Sequence, residues 1–171
     1  MKARVEKALN EQIHAEFFSF YLYLSVSAYF TANHLDGFAH WMRIQAQEES
    51  NHAMKLFDYL NERGGTVELL PLDGPAREWP SAAAAVESVL NHERAISARI
   101  NALVDLANEE NDHATTVILH WYVNEQVEEE ATAETLYHQV KMVESSPHGL
   151  LMIDRELAGR PAPAPISTTE A

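Results

Sequence analysis

Four stretches of this chain place apolar residues at alternating steps of three and four, and every one of these stripes is broken by a carboxylate. A stripe of that period is the face a helix turns toward a core. The first runs Leu9, Ile13, Glu16, Phe20, Tyr23, Ser27 and Phe30, and the second Leu35, Phe38, Met42, Gln45, Glu49, His52, Leu56 and Tyr59. The third runs Val86, Val89, Glu93, Ile96, Ile100, Leu103 and Ala107, and the fourth Leu119, Tyr122, Gln126, Glu129, Ala133, Leu136, Val140 and Val143. Glu16, Glu49, Glu93 and Glu129 thus point into a core, and no lysine or arginine stands in any stripe to pair with them. An uncompensated buried carboxylate costs several kcal/mol even after relaxation, so four of them call for cations. Glu49 and His52 are one helical turn apart, which brings an oxygen ligand and an imidazole ligand to the same face. Taken singly, each has an ordinary explanation as a solvated acid or a core histidine.

The spacing predicts a first helix from about Arg4 to Asn33 and a second from Asp36, read as its N-cap, to Gly64-Gly65, where glycine takes the left-handed turn. Residues 64–80 are punctuated by GG, LPLDGP and EWP and read as an ordered connection. Bundle loops usually have about two to eight residues; this one, at about 3.3 Å per residue, reaches roughly 55 Å, enough to cross a whole bundle. Ser81 is the expected N-cap of a third helix ending near Asn111, and a turn at Asn111-Asp112 leads into the fourth. Ser146-Pro147 opens a short fifth helix that closes at Gly159, and the tail RPAPAPISTTEA has no periodicity and is expected to be disordered. The expected fold is all-α: an antiparallel four-helix bundle with one long crossover loop and a short C-terminal fifth helix, the domain covering 1–159 and the tail 160–171. With helices one and two as one hairpin and three and four as another, a rise of about 1.5 Å per residue places the polar breaks, Glu16, Glu49, His52, Glu93, Gln126 and Glu129, roughly 17 to 26 Å from one end. They form one layer. Four carboxylates and an imidazole in a bundle core describe a di-iron or di-manganese site.

Composition narrows the chemistry. The 171 residues suffice for one domain with its own core, and the absence of cysteine removes disulfides, thiolate zinc sites and iron–sulfur clusters. A formal charge of −14 disfavours nucleic acid and favours cations. Met1 to Gln12 carries charges where a secretory signal would be apolar, so the expected compartment is the cytoplasm. Phe17 to Phe30 is too short to span a bilayer, and no membrane association is expected.

The segments NEQIHAEFFSFYLYLSVSAYF, EESNHA, LNHERAI, WYVNEQVEEE and SPHGLLMIDREL occur in the order and at the spacing of the ferritins. From about Val5 to Leu157 the chain most closely resembles the bacterial non-haem ferritins. The resemblance implies iron storage with ferroxidase activity: two Fe(II) bind per subunit, O₂ or H₂O₂ takes their electrons, and Fe(III) moves into a hydrated oxide mineral inside a homo-oligomeric shell of 24 subunits. Carried over by position, the first iron would be held by Glu16, Glu49 and His52 and the second by Glu93 and Glu129, with Glu49 bridging and Gln126 nearby. Tyr23 matches the family tyrosine beside the centre, although the same position suits a core tyrosine. Glu48, Glu125 and Glu128 match an additional iron site; they lie off the stripes, where a solvated acidic face has the same pattern. Thr132 stands three residues after Glu129, where bacterioferritins supply a second histidine, which implies a weaker second iron. Ser50 replaces the haem-ligating methionine of bacterioferritins, so no haem is expected. Thr116 and Leu119 fall where animal ferritins carry acids at the three-fold channel. Other di-iron proteins and a metal-free helical scaffold remain alternatives from the sequence alone.

Overall fold

The apolar stripes become α1 (Ala3–Ala32), α2 (Asp36–Glu62), α3 (Ala82–Glu109) and α4 (His113–Met142), followed by a short α5 (Pro147–Leu157). The structure, a computed structural model, describes residues 1–162; the expected disorder of the tail falls mainly on 163–171, outside the described residues. No strand occurs among the described residues, and none of their helices is long and apolar enough to cross a membrane.

The ends of the helices follow local chemistry. Ser81 Oγ accepts from Ala84 N at 3.1 Å and Ser146 Oγ from Gly149 N at 3.1 Å, so both expected caps form. Gly64 closes α2 at φ +70°, a left-handed conformation that costs glycine nothing. Asp36 is not the cap of α2. The cap position falls on Leu35 without a side-chain bond, and Asp36 already lies in the first helical turn. The free amides are met instead by Asp154 of α5, whose Oδ1 accepts from Gly37 N at 2.8 Å and Phe38 N at 3.0 Å. A Cβ at position 37 would stand 1.6 Å from the Asp154 carbonyl oxygen, so only glycine lets α5 approach this closely.

Two apolar clusters fill the bundle, one toward each end. One gathers Leu22 to Phe30 of α1, Leu35 and then Phe38 to Ala46 of α2, Ala83 to Val89 of α3 and Leu136 and Val140 of α4. The other gathers Val5 to Ala15 of α1, Leu56 and Leu60 of α2, Ile96 to Ala107 of α3 and Leu119 and Tyr122 of α4. The order in which each helix meets the clusters fixes its direction: α1 and α2 are antiparallel, α3 and α4 are antiparallel, and α3 starts at the end where α2 starts. The chain between α2 and α3 must therefore travel the length of the bundle, and α1 guides it. Asn10 Nδ2 donates to Thr66 O at 2.9 Å and its Oδ1 accepts from Glu68 N at 2.7 Å. Further along, His14 Nε2 lies 2.9 Å from Pro71 O, Ser25 Oγ donates to Ala76 O at 2.6 Å, and Trp79 meets Tyr29 edge-on at 5.3 Å. The crossover is therefore zipped to α1 from one end to the other.

Candidate metal centre

Between the two apolar clusters each helix contributes its polar break. Glu16, Glu49, His52, Glu93 and Gln126 are all buried, with Glu16 and Glu93 only 1% exposed, and Glu129 is half-buried at the edge of the layer. The helices deliver these groups because the breaks share the stripes' period, so the packing that buries the flanking leucines and isoleucines carries the acids inward with them.

One half of the layer converges. Glu16, Glu49 and His52 each offer a ligand atom, and these atoms lie within 4.8 Å of one another. His52 Nδ1 stands 3.7 Å from Glu49 Oε2. Tyr122 braces the helix behind them by donating its hydroxyl to the His52 carbonyl at 2.7 Å, and the edges of Trp121 and Tyr122 flank the imidazole. Gln12 holds the other side: its Nε2 donates to Glu16 Oε1 at 2.8 Å, while Arg99 Nε donates to Gln12 Oε1 at 3.2 Å. Four buried side-chain polar atoms among the described residues have no hydrogen-bond partner, and three of them belong to this group: Glu16 Oε2, Glu49 Oε1 and His52 Nδ1. Buried polar atoms are otherwise satisfied almost without exception, so three orphans in one place mark a position shaped for a further partner. Two carboxylate oxygens and an imidazole nitrogen are the donor set of a divalent transition metal.

The other half does not converge with it. Glu93 accepts a hydroxyl hydrogen bond from Tyr23 on one oxygen and one from Gln126 Nε2 at 3.1 Å on the other. Glu129 Oε2 accepts from Gln45 Nε2 at 2.6 Å. The sequence reading groups Glu93 and Glu129 as ligands of one ion; here each is tied to a neutral donor.

The electrostatics of the layer explain both patterns. Burial pushes the Glu49 carboxyl well above the usual range, and the charges of Glu93, Glu16 and Glu129 push it further. Burial likewise raises Glu93 to about 7, against the pull of its bonds from Tyr23 and Gln126. Glu129 rises to about 7 through burial and the charge of Glu93. Burial, then the charges of Glu93 and Glu49, hold Tyr23 in its protonated form, ready to donate. In the absence of cations, the layer therefore retains protons near neutral pH, which a bound cation would have to displace.

Of the three acids placed at an additional site, Glu48 and Glu125 are half-buried and Glu128 is exposed. With Glu129, Thr132 and Arg160 they line a cleft of about 160 Å³ beside the layer. His52 Nε2 stands 4.0 Å from Glu125 Oε2, so the cleft begins where the converged triad ends. Leu119 is fully buried in a core cluster of the subunit; only Thr116 of that pair is partly exposed. Sequence reasoning passed over Gln12 and the donor role of Gln45. Gln12 was visible as a polar residue one turn before Glu16, and Gln45 as a polar member of its own stripe. Nothing periodic could have found Arg160.

Residues 6–143 match the family described as Ferritin-like domain. A bacterial non-heme ferritin of Bacteroides fragilis is 42% identical over 157 residues, covering 92% of this chain and 98% of its own length. One from Campylobacter jejuni is 37% identical over 155 residues, covering 91% and 93%. Among solved structures, the open-pore ferritin of the hyperthermophilic archaeon Archaeoglobus fulgidus superposes with a TM-score of 0.93 at 46% identity, over 94% of this chain and 98% of that one.

Proposed function

The chain belongs to the ferritin family, and from that premise we propose that it stores iron and oxidises it on the way in, at a two-iron centre within each subunit. Residues 1–159 are the functional domain of this reading. Glu16, Glu49 and His52 receive one Fe(II). Glu93 and Glu129 receive a second, with Glu49 between them and Gln126 beside them. Each Fe(II) gives up one electron, and the two electrons with two protons reduce O₂ to H₂O₂; with H₂O₂ as oxidant the same two electrons and two protons yield water. Iron is substrate here, so the weaker grip expected of the second half suits its departure as Fe(III) into a store. Tyr23, whose hydroxyl donates to the Glu93 carboxylate, is assigned as electron donor or positioning group.

The observation that carries the reading is the trio of partnerless buried atoms on Glu16, Glu49 and His52. The proposal extends to a cytoplasmic shell of 24 copies with α5 around its four-fold axes. No residue of α5 is buried within the subunit, and Leu151 and Met152 are 48% and 60% exposed, as an apolar face awaiting another copy would be. The test is aerobic Fe(II) oxidation followed by near-ultraviolet absorbance, wild type beside Glu49→Ala, with light scattering on both. Rapid oxidation is expected only in the wild type, in particles of shell size for both proteins. Oxidation at the buffer rate by both would remove the enzyme reading, and a monomer or dimer would remove the store.

A further inference from the structure

Arg160 lies just beyond α5, in the stretch that the sequence reads as tail, yet its side chain is seated. Its guanidinium lies 4.9 Å above the Trp41 ring. One nitrogen reaches both oxygens of Glu48, at 3.2 and 2.9 Å, and the other donates to Gln45 Oε1. The backbone is pinned as well, with His40 Nε2 2.9 Å from the Arg160 carbonyl oxygen. The stacking plane, the carboxylate and the amide together fix a group that is otherwise long and rotamer-rich.

The place it occupies is the cleft lined by Glu48, Glu125, Glu128, Glu129 and Thr132. Three carboxylates beyond the inner centre face a space into which the fold inserts one permanent positive charge, since a guanidinium does not lose its proton in proteins. Burial raises the Glu48 carboxyl, and the charge of Arg160 opposes that rise. Gln45 extends the contact inward. Arg160 occupies its carbonyl oxygen, which turns its amide nitrogen to Glu129. One side chain thus fills the cleft and, through Gln45, restrains a carboxylate of the inner layer.

We propose that Arg160 is the tethered cation of the Glu48–Glu125–Glu128 cleft, filling the place of an additional metal ion and thereby setting how many ions each subunit holds. This rests on the reading of the polar layer as a two-metal centre. A divalent ion entering the cleft meets a like charge within a few ångströms and binds only by lifting the guanidinium from Glu48 and Trp41. Loss of Arg160 frees the cleft and also releases Gln45 from one of its bonds.

The experiment is calorimetric titration of the full-length, metal-free protein with Zn(II), which binds without redox chemistry, using wild type, Arg160→Gln, Arg160→Lys, Arg160→Gln/Glu48→Gln and Glu49→Ala. Arg160→Gln should hold one more tightly bound ion per chain than wild type, at least tenfold tighter than any additional ion the wild type accepts. The gain should vanish in the double variant, and Arg160→Lys should stay close to wild type. In the wild type, forcing an additional ion in at high Zn(II) should change the Trp41 contribution to fluorescence, read as the difference from Trp41→Phe. Equal ion counts and affinities in wild type and Arg160→Gln would overturn the proposal, as would a gain that survives Glu48→Gln. The Glu49→Ala arm separates the two readings: loss of the inner ions upholds the two-metal centre whatever Arg160→Gln does, and their full retention sinks the centre itself.

Discussion

The two halves of the polar layer each bring two glutamates into the space between the apolar clusters, and end in different states. Glu16, Glu49 and His52 converge and keep buried atoms without partners, whereas Glu93 and Glu129 spend their oxygens on Tyr23, Gln126 and Gln45. Glu16 Oε2 and Glu49 Oε1 find no donor within hydrogen-bond distance, whereas Glu93 and Glu129 lie beside a phenol or an amide that supplies one. A hydrogen bond to a charged group is worth about 1.5–3 kcal/mol, so an ion arriving at the second half must first displace such bonds. On the proposed two-iron reading, metal is expected to enter the converged half first and to leave it last.

The strongest way to break this comparison is to delete a ligand from each half. His52→Ala should weaken the first Fe(II) by more than the roughly 100-fold that loss of an outer partner costs, while Glu93→Ala leaves the first ion within a few-fold; anaerobic Fe(II) titration distinguishes them. Equal losses would mean a single inseparable site.

Next in size is the pH dependence of the metal-free protein. Burial raises the folded-state carboxyl of Glu93 from 4.5 to about 7 and lifts Glu49 in the same direction. The folded state therefore binds more protons than the unfolded one between those values, and stability must fall as pH rises through that window. At about 1.4 kcal/mol per unit, Glu93 alone accounts for a few kcal/mol. Urea unfolding in chelator between pH 5 and 8 should show the decline, and Glu93→Gln should flatten it. Saturating metal should reverse the trend, because deprotonated carboxylates bind the cation.

The partners of the two halves should act with opposite sign. Gln12 fixes Glu16 with its free oxygen toward the triad, so Gln12→Leu should weaken the first ion about tenfold. Tyr23 competes with metal for Glu93, so Tyr23→Phe should tighten the second ion by about tenfold, the loss of a bond to a charged group worth about 1.5 kcal/mol. The same anaerobic titration reads both.

Most of the fold was legible because periodicity specifies burial: every residue of the third stripe, from Val86 to Ala107, is buried. The crossover was legible because length bounds reach. What remained hidden came from partners distant in sequence. Asp154 caps α2 from α5, and Arg160 returns from beyond the last helix to Glu48, contacts that leave no local pattern. The site was legible as a set of residues, since polar breaks in apolar stripes stand out. Its asymmetry was not, because it depends on which donors the packing leaves beside each carboxylate.

The most direct test is a crystal structure of the protein loaded anaerobically with Fe(II), with anomalous scattering recorded at the iron edge. Iron is expected among Glu16, Glu49 and His52 at higher occupancy than beside Glu93 and Glu129, with the Tyr23 bond to Glu93 broken wherever the second ion is present. Iron confined to the outer acidic surface, with none in the layer, would contradict the two-iron centre.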